Sequence, residues 1–167
     1  ATVFGEENDR IEDAVAPLLE KRRLTVATAE SCTAGLVAGA LANLPGISRF
    51  FLGGIVAYDN RVKVAHLGVP EELLATHGAV SGEVAAAMAD GARSRLGVDI
   101  GVAVTGIAGP GGGTEEKPVG LVYLALSAAD GTIIRRCRFQ GDRNFIRRIA
   151  ANSALNLLRL KLSGKLN

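Results

Sequence analysis

A serine and a cysteine stand side by side where an apolar segment meets a small-residue segment. Ser31 and Cys32 follow the run LTVATA at 24–29 and open the stretch 32–43. A strand, a turn and a helix in that order place such side chains at the carboxyl end of a sheet, where α/β proteins bind ligands. A hydroxyl or thiol there can attack a carbonyl carbon, and the amides of Cys32 and Thr33 could hold the oxyanion. The spacing alone favours a plainer role for Ser31, as the cap of the helix.

A serine nucleophile needs a base, and Lys63 is the strongest candidate. Lys63 follows the apolar segment 51–58 and lies within VKVA. Burial would lower the pKa of its ammonium group and make it a usable base, whereas a surface lysine would stay charged. The chain has two histidines, His66 and His77, and no aspartate is placed to orient either one. A Ser-His-Asp triad is therefore the weaker alternative.

Tyr58 and Cys32 each have a functional and an ordinary interpretation. Tyr58 ends an apolar segment five residues before Lys63. It can bond to the Ser31–Lys63 pair or pack on a substrate ring, or it can be a strand-end tyrosine with a solvated hydroxyl. Cys32 is a rival nucleophile, but no basic residue adjoins it and small buried cysteines are usually inert.

A glycine-rich loop follows the buried segment 99–108. That segment delivers Thr105 and Gly106 to GPGGGTEEKP, where Gly111 and Gly112 permit a ligand to approach the backbone. The loop lacks the G-K-[ST] ending of a phosphate loop, and it does not match G-x-G-x-x-G. It is therefore either a ligand-binding loop or a flexible connection.

The end of the chain is strongly basic. Residues 135–167 contain nine lysines and arginines and one acidic residue, Asp142. Asp142 can cap the last helix, which leaves Arg143 in the first turn, where a cation opposes the helix dipole. Arg143 therefore indicates an anionic ligand or a salt bridge. Aromatic residues are only 4% of the chain, which argues against a stacking platform for nucleic acid.

Composition sets the broad class. A chain of 167 residues with 48% hydrophobic and 22% charged residues suits one globular domain. Two distant cysteines offer no zinc-ligand spacing and suit a reducing compartment. No apolar run is long enough to span a membrane, and the opening residues lack the features of a signal peptide. We therefore expect a soluble, cytoplasmic protein that needs neither a metal nor another cofactor.

Helical and strand patterns alternate along the chain. Helical spacing marks 8–23, 32–43, 60–68, a segment opened by Pro70, 81–96 with Ser81 as cap, and 142–162. Strand patterns mark 24–29, 51–58, 99–108, 119–128 and 132–140, the last two joined by Asp130-Gly131. This order predicts an α/β fold, a three-layer α/β/α sandwich around a mixed, mostly parallel sheet.

Five ordered segments together resemble the CinA C-terminal domain family, the nicotinamide-nucleotide amidases of bacteria. They are AESCTAG at 29–35, GGIVAYDNRVKVAHLGV at 53–69, GAVSGEVAAAMADG at 78–91, GVAVTGIAGPGGGTEEKPVG at 101–120 and FQGDRNFIRRIAANSALNLL at 139–158. The resemblance implies one amidase domain over 1–167 that hydrolyses nicotinamide mononucleotide to nicotinate mononucleotide and ammonia, in pyridine nucleotide salvage. A domain of this apolar content is also expected to form a homo-oligomer.

The resemblance assigns roles to residues already singled out. The implied roles are Ser31 as nucleophile, Lys63 as base with Tyr58 alongside, Thr105 and Gly106 lining the amide pocket, and Arg143 as the arginine of the family's GDR motif. The mechanism implied is a metal-free Ser-Lys amidase, in which Arg143 or the glycine loop holds the phosphate. The alternatives are a nucleotide-binding module without catalysis and a nucleic-acid-interacting protein that uses its basic helix.

One residue departs from the family pattern. The usual SCTGG reads SCTAG here, so Ala34 replaces a glycine. Alanine would be strained if the position requires a positive φ, and harmless if it lies in the first helical turn. We expect the second case.

Overall fold

A five-stranded mixed sheet forms the centre of the computed structural model, which describes residues 10–166. The strands are β1 Val26–Glu30, β2 Phe51–Val56, β3 Ile100–Gly106, β4 Leu121–Ala128 and β5 Gly131–Arg138, in the spatial order β2-β1-β3-β4-β5. β1 pairs in parallel with β2 and β3, while β4 is antiparallel to both β3 and β5. Four strands therefore share one direction and β4 alone opposes them, which confirms the mixed, mostly parallel sheet.

Helices cover both faces of the sheet. They are α1 Ile11–Arg22, α2 Leu36–Ala42, α3 Asn60–Leu67, α4 Glu71–His77, α5 Gly82–Leu96 and α6 Arg143–Leu162, with a short 3₁₀ turn at Ile47–Arg49. One face is covered by α1, α2 and α6, and the other by α5 with α3 and α4 packed against it. The three-layer sandwich is confirmed. None of the helices in residues 10–166 is both long and apolar enough to cross a membrane.

Two predicted helix starts are confirmed by their caps. The Ser81 hydroxyl accepts a hydrogen bond from the Val84 amide at 3.3 Å, and the Asp142 carboxylate accepts one from the Phe145 amide at 2.8 Å. Both helices begin at the next residue, because a short oxygen-bearing side chain satisfies an amide that has no intrahelical partner.

The predicted start of α2 is wrong, and Ser31 does not cap it. Residues 31–35 form a turn, and the helix begins at Leu36. The buried carboxylate of Glu30 takes over the capping role. It accepts hydrogen bonds from the amides of Gly35, Val37 and Ala38 at 2.9, 3.1 and 2.8 Å. A negative charge is favourable at a helix start, so Glu30 fixes the helix while Ser31 stays outside it.

The expectation for Ala34 is also wrong. Ala34 has φ +48° and Gly35 has φ +95°. The extra turn before α2 requires two successive left-handed residues, and a side chain is disfavoured there because its Cβ crowds the backbone.

Replacing Ala34 with glycine should therefore stabilise the protein. We expect Ala34→Gly to raise the free energy of unfolding by about 0.5–1 kcal/mol, the relieved strain less the entropy that glycine adds to the unfolded chain. That corresponds to roughly 1–4 °C in Tm, which a thermal melt would resolve. Ala65→Gly is the matched control, since Ala65 is exposed within α3 and the change there should destabilise. Equal losses in the two variants would contradict strain at Ala34.

Close backbone packing brings α3 to the site. A Cβ at Gly91 of α5 would lie 2.0 Å from the carbonyl oxygen of Leu67, and one at Gly101 of β3 would lie 2.0 Å from that of Ala89. Only glycine permits these approaches, so α5 lies directly on β3 and α3 lies directly on α5. Lys63, on α3, is thereby held beside the carboxyl ends of β1 and β2.

Candidate active site

Ser31 and Lys63 meet at the carboxyl end of the sheet. The Nζ atom of Lys63 lies 3.3 Å from the Oγ atom of Ser31, and it donates hydrogen bonds to the carbonyls of Ala57 at 2.9 Å and Tyr58 at 3.2 Å. A neutral amine has two hydrogens and one lone pair. The two carbonyls match the hydrogens, and the lone pair is left for the Ser31 hydroxyl to donate to.

Burial favours that neutral form of Lys63. The side chain is 1% exposed, and its desolvation lowers the pKa of the ammonium group below the ordinary 10.5. The negative charge of Asp59 opposes this effect to a smaller extent. Asp59 also forms an ion pair with Arg61 at 3.1 Å. Among residues 10–166, no carboxylate is hydrogen-bonded to Lys63 Nζ. A lowered pKa makes the neutral amine, the form that a general base needs, easier to populate.

Cys32 lies beside Ser31, and burial shifts its pKa upwards, whereas burial shifts the pKa of Lys63 downwards. Burial raises the pKa of its thiol to about 11, and the backbone amides of Cys32 and Thr33 and the charge of Arg147 lower it only in part. The thiol therefore stays protonated near neutral pH. This agrees with the expectation that Cys32 is inert.

A cavity of about 270 Å³ opens above Ser31. Seven of the ten residues singled out from the sequence line it, and they are Ser31, Cys32, Tyr58, Gly106, Gly111, Gly112 and Arg143. A cavity of about 440 Å³ lies near Asp99 and Lys161, at the opposite end of β3. Ser31, the residue that Lys63 contacts, lines the first cavity and not the second, so we place the site at the first.

Three of the ten residues do not line the cavity: Lys63, which contacts Ser31 from behind it, and the two threonines Thr33 and Thr105. The Thr105 hydroxyl donates a hydrogen bond to the Ala79 carbonyl at 2.7 Å. Thr33 is fully buried, and its hydroxyl has no partner among residues 10–166. Neither hydroxyl is placed to bind a substrate, so Thr33 can take part only through its backbone.

Two glycines of the loop, Gly111 and Gly112, line the cavity. Within the described chain, the amides of Gly111 and Gly112 donate to no protein acceptor. The far end of the loop is tied down, because the Thr114 amide bonds to the Lys117 carbonyl at 2.8 Å and the Lys117 ammonium bonds to the His77 carbonyl. A loop held at one end with unpaired amides at its tip can bind an anionic oxygen.

Arg143 spans the cavity from the start of α6. Its Nη1 donates to the Gly109 carbonyl at 2.7 Å, and its Nη2 donates to the Tyr58 hydroxyl at 2.8 Å. Tyr58 therefore contacts Lys63 through its backbone carbonyl and Arg143 through its side chain. The predicted contact of the Tyr58 side chain with the Ser31–Lys63 pair is not present in this arrangement.

Arg147 is a site residue that sequence reasoning missed. Its Nε donates to the Cys32 carbonyl at 3.0 Å, and its Nη2 donates to the Thr33 carbonyl at 3.1 Å. Since a trans peptide directs N–H away from its C=O, the bond to the Cys32 carbonyl turns the Thr33 amide away from Arg147. The spacing of four from Arg143 places both arginines on one face of α6, and that spacing was the available signal.

Arg147→Lys should weaken catalysis more than stability. Lysine keeps the charge but lacks the fork that binds two carbonyls, so the 32–33 peptides would lose their fixed orientation. We expect kcat for the reaction proposed below to fall by about 10-fold to 100-fold with little change in KM. Arg148→Lys is the control, because Arg148 is exposed on the next position of the helix. A KM effect alone, or equal losses in both variants, would contradict an orienting role.

The histidines lie outside the site. His66 is exposed, and His77 Nδ1 lies 3.7 Å from Glu83 Oε1 on the α5 side. Neither lines the cavity, so no Ser-His-Asp triad forms there. In residues 10–166, no three His, Cys, Asp or Glu side chains are grouped so that they could hold a metal ion.

Comparison with known proteins places this arrangement in a family. The model of the CinA C-terminal domain matches residues 8–162. The chain belongs to the CinA C-terminal domain family. A Dictyoglomus thermophilum CinA-like protein is 48% identical over 157 residues, which cover 94% of this chain. A Moorella thermoacetica protein named as a competence-damage inducible protein is 53% identical over 156 residues, which cover 93% of this chain. The chain spans 38% of the length of each of these two relatives.

Solved CinA-family structures share the fold. The Agrobacterium tumefaciens competence/damage inducible protein CihA superposes with a TM-score of 0.87 at 42% identity, covering 98% of this chain and 99% of that chain. A CinA superfamily protein from Escherichia coli superposes with a TM-score of 0.87 at 34% identity, covering 96% of this chain and 95% of that chain. The strand-turn-helix that carries Ser31 therefore lies within a fold that the family shares.

Proposed function

We propose that this CinA-family domain hydrolyses the carboxamide of nicotinamide mononucleotide, releasing nicotinate mononucleotide and ammonia. The observation that carries the proposal is the contact of 3.3 Å between the buried Lys63 amine and the Ser31 hydroxyl, with Ser31 in the lining of a cavity that glycines and Arg143 also line. The substrate itself is inferred from the family resemblance. Its carboxamide needs a nucleophile, and its phosphate needs an anion site.

The first half of the reaction transfers the acyl group to Ser31. The Ser31 oxygen attacks the carboxamide carbon while Lys63 Nζ accepts the hydroxyl proton. The amides of Cys32 and Thr33 hold the oxyanion, and Arg147 fixes the peptide that carries the second amide. The lysine then gives its proton to the departing nitrogen, so that ammonia leaves and an ester to Ser31 remains.

The second half of the reaction regenerates the serine. Lys63, again neutral, accepts a proton from water as the water oxygen attacks the ester carbon. The carboxylic acid product leaves when the C–O bond to Ser31 breaks and the serine oxygen takes the proton back. Each cycle consumes one water and produces one ammonia, with no metal in any step.

The basic and glycine residues of the cavity suit the phosphate. Arg143 supplies a planar cation with several N–H donors, and Gly111 and Gly112, whose amides donate to no protein acceptor among residues 10–166, line the same cavity. Such a combination binds phosphate through charge-assisted hydrogen bonds. A cavity of about 270 Å³ lies near the lower end of the range for small-molecule sites, roughly 300–1,000 Å³.

An ammonia-release assay on nicotinamide mononucleotide tests the proposal. We expect one ammonia and one nicotinate mononucleotide for each substrate consumed. Stabilisation against heat by the mononucleotide with no ammonia released would overturn the proposal and favour a binding module.

A further inference from the structure

A hydrogen-bonded bridge crosses the mouth of the candidate site. Tyr58 follows β2 on one side, and Arg143 begins α6 on the other. Their side chains meet at 2.8 Å, between Tyr58 Oη and Arg143 Nη2. The Tyr58 side chain is not held there by burial, since the residue is 55% exposed. The bond to Arg143 is the one side-chain hydrogen bond that the described structure gives it.

The bridge uses donors that an anionic ligand needs. Arg143 already donates Nη1 to the Gly109 carbonyl and Nη2 to the Tyr58 hydroxyl. A dianionic phosphate oxygen is a much stronger acceptor for a guanidinium N–H than a neutral phenol oxygen. The guanidinium has five N–H groups, and a phosphate that binds at the Nη2 side would displace the Tyr58 hydroxyl.

Tyr58 also touches the reacting pair. Its backbone carbonyl accepts a hydrogen bond from Lys63 Nζ at 3.2 Å, and Lys63 Nζ lies 3.3 Å from Ser31 Oγ. One residue thus contacts the phosphate-binding arginine through its side chain and the lysine through its backbone. The residue that forms the bridge is therefore also part of the surroundings of the base.

We propose that the Tyr58–Arg143 bridge is the specificity determinant that makes a phosphate on the ligand a requirement for turnover. This inference rests on the proposed function of the same site. A phosphorylated nucleotide opens the bridge by taking over Arg143. The corresponding nucleoside, which has the same carboxamide but no phosphate, meets a bridged cavity. Phosphate supplied separately restores the open state.

Tyrosine fluorescence tests the bridge without any turnover. The chain has two tyrosines and no tryptophan, so the signal comes from Tyr58 and from Tyr123, which is half-buried on β4. Titration with inorganic phosphate should change the fluorescence saturably in the wild type and in Tyr123→Phe. Phosphate should leave the fluorescence of Tyr58→Phe and of Arg143→Gln unchanged, while the fluorescence of Arg148→Gln should respond as in the wild type. Sodium chloride at matched ionic strength is the salt control.

A change that survives in Arg143→Gln, or a wild type that does not respond to phosphate, would overturn the inference. This readout stands even if the protein releases no ammonia from the mononucleotide, because it depends on the bridge alone.

Activation in trans tests the consequence for specificity. Inorganic phosphate should increase ammonia release from nicotinamide riboside by about tenfold or more in the wild type, the scale expected when one charge-assisted hydrogen bond no longer holds the closed state. The same phosphate should compete with nicotinamide mononucleotide. Tyr58→Phe, which has no bridge, should show no stimulation on the riboside. Equal stimulation of Tyr58→Phe and the wild type, or none in a wild type that turns over the mononucleotide, would contradict the inference.

Discussion

Ser31→Ala should abolish ammonia release from nicotinamide mononucleotide. Removing the nucleophile leaves only the oxyanion amides and substrate binding, so kcat should fall by roughly 10⁴-fold to 10⁶-fold. Binding of the mononucleotide should remain, because Arg143 and the loop amides are untouched. Steady-state ammonia release and calorimetric binding on the same preparation would separate the two effects.

Ser48→Ala is the matched control for that variant. Ser48 is exposed in the 3₁₀ turn and has no contact with the cavity, so its loss should leave both rate and Tm unchanged. Ser31 is not the cap of α2, since Glu30 holds the helix start. Ser31→Ala should therefore also keep a near-wild-type Tm. A variant that retains a tenth or more of wild-type turnover would contradict the assignment.

Lys63→Met should cost about 10²-fold to 10⁴-fold in kcat, the usual contribution of a general base. Methionine keeps the length and the packing of the buried stem but removes the amine. The carbonyls of Ala57 and Tyr58 lose their donor, which should also lower the free energy of unfolding by about 1–3 kcal/mol. Initial rates and a denaturant melt measure the two losses.

The activity of the wild type should depend on pH in the direction that a lysine base requires. Only the neutral amine accepts a proton, and burial lowers the pKa of Lys63 from its ordinary 10.5. Activity of the wild type should therefore rise with pH through that lowered pKa and fall on acidification. The rising limb should disappear in Lys63→Met.

Lys21→Met, at an exposed position on α1, is the control. It should keep both the wild-type rate and the rising limb of the pH profile. An unchanged pH profile in Lys63→Met with substantial activity would show that another group is the base.

The sequence predicted local structure well wherever one side chain decides it. Ser81 and Asp142 each supply the oxygen that starts a helix, so both helix starts were predictable. The start of α2 was not, because its cap is a carboxylate that reaches from the last residue of β1. The left-handed φ of Ala34 was one of the two cases that the family's glycine at this position allowed, and the spacing of residues around SCTAG could not choose between them.

The meeting of Ser31 and Lys63 was predictable only in part. Both follow strands that we expected to be parallel, so their carboxyl ends share one edge of the sheet. Adjacency depends on the order β2-β1-β3, and burial of the amine depends on how closely α3 packs on α5 through Gly91. These are long-range facts that spacing does not encode.

Polar side chains were the least predictable part of the site. Thr105 was expected at the amide pocket, but its hydroxyl bonds to the Ala79 carbonyl behind it. Arg147 was counted only as part of a basic segment, yet it binds the carbonyls beside Ser31. Homo-oligomerisation stays a prediction. A test by substitution would begin with two exposed apolar residues of the edge strand β2, Leu52 and Val56.

The central claim is that Ser31 carries the acyl group during hydrolysis, and mass spectrometry of the acid-quenched reaction tests it most directly. Trypsin releases residues 24–49 as one peptide, between Arg23 and Arg49. With nicotinamide mononucleotide, that peptide should gain the mass of the nicotinate mononucleotide acyl group in the wild type and in Cys32→Ala, and should gain nothing in Ser31→Ala. An adduct that persists in Ser31→Ala and is lost in Cys32→Ala would contradict the account.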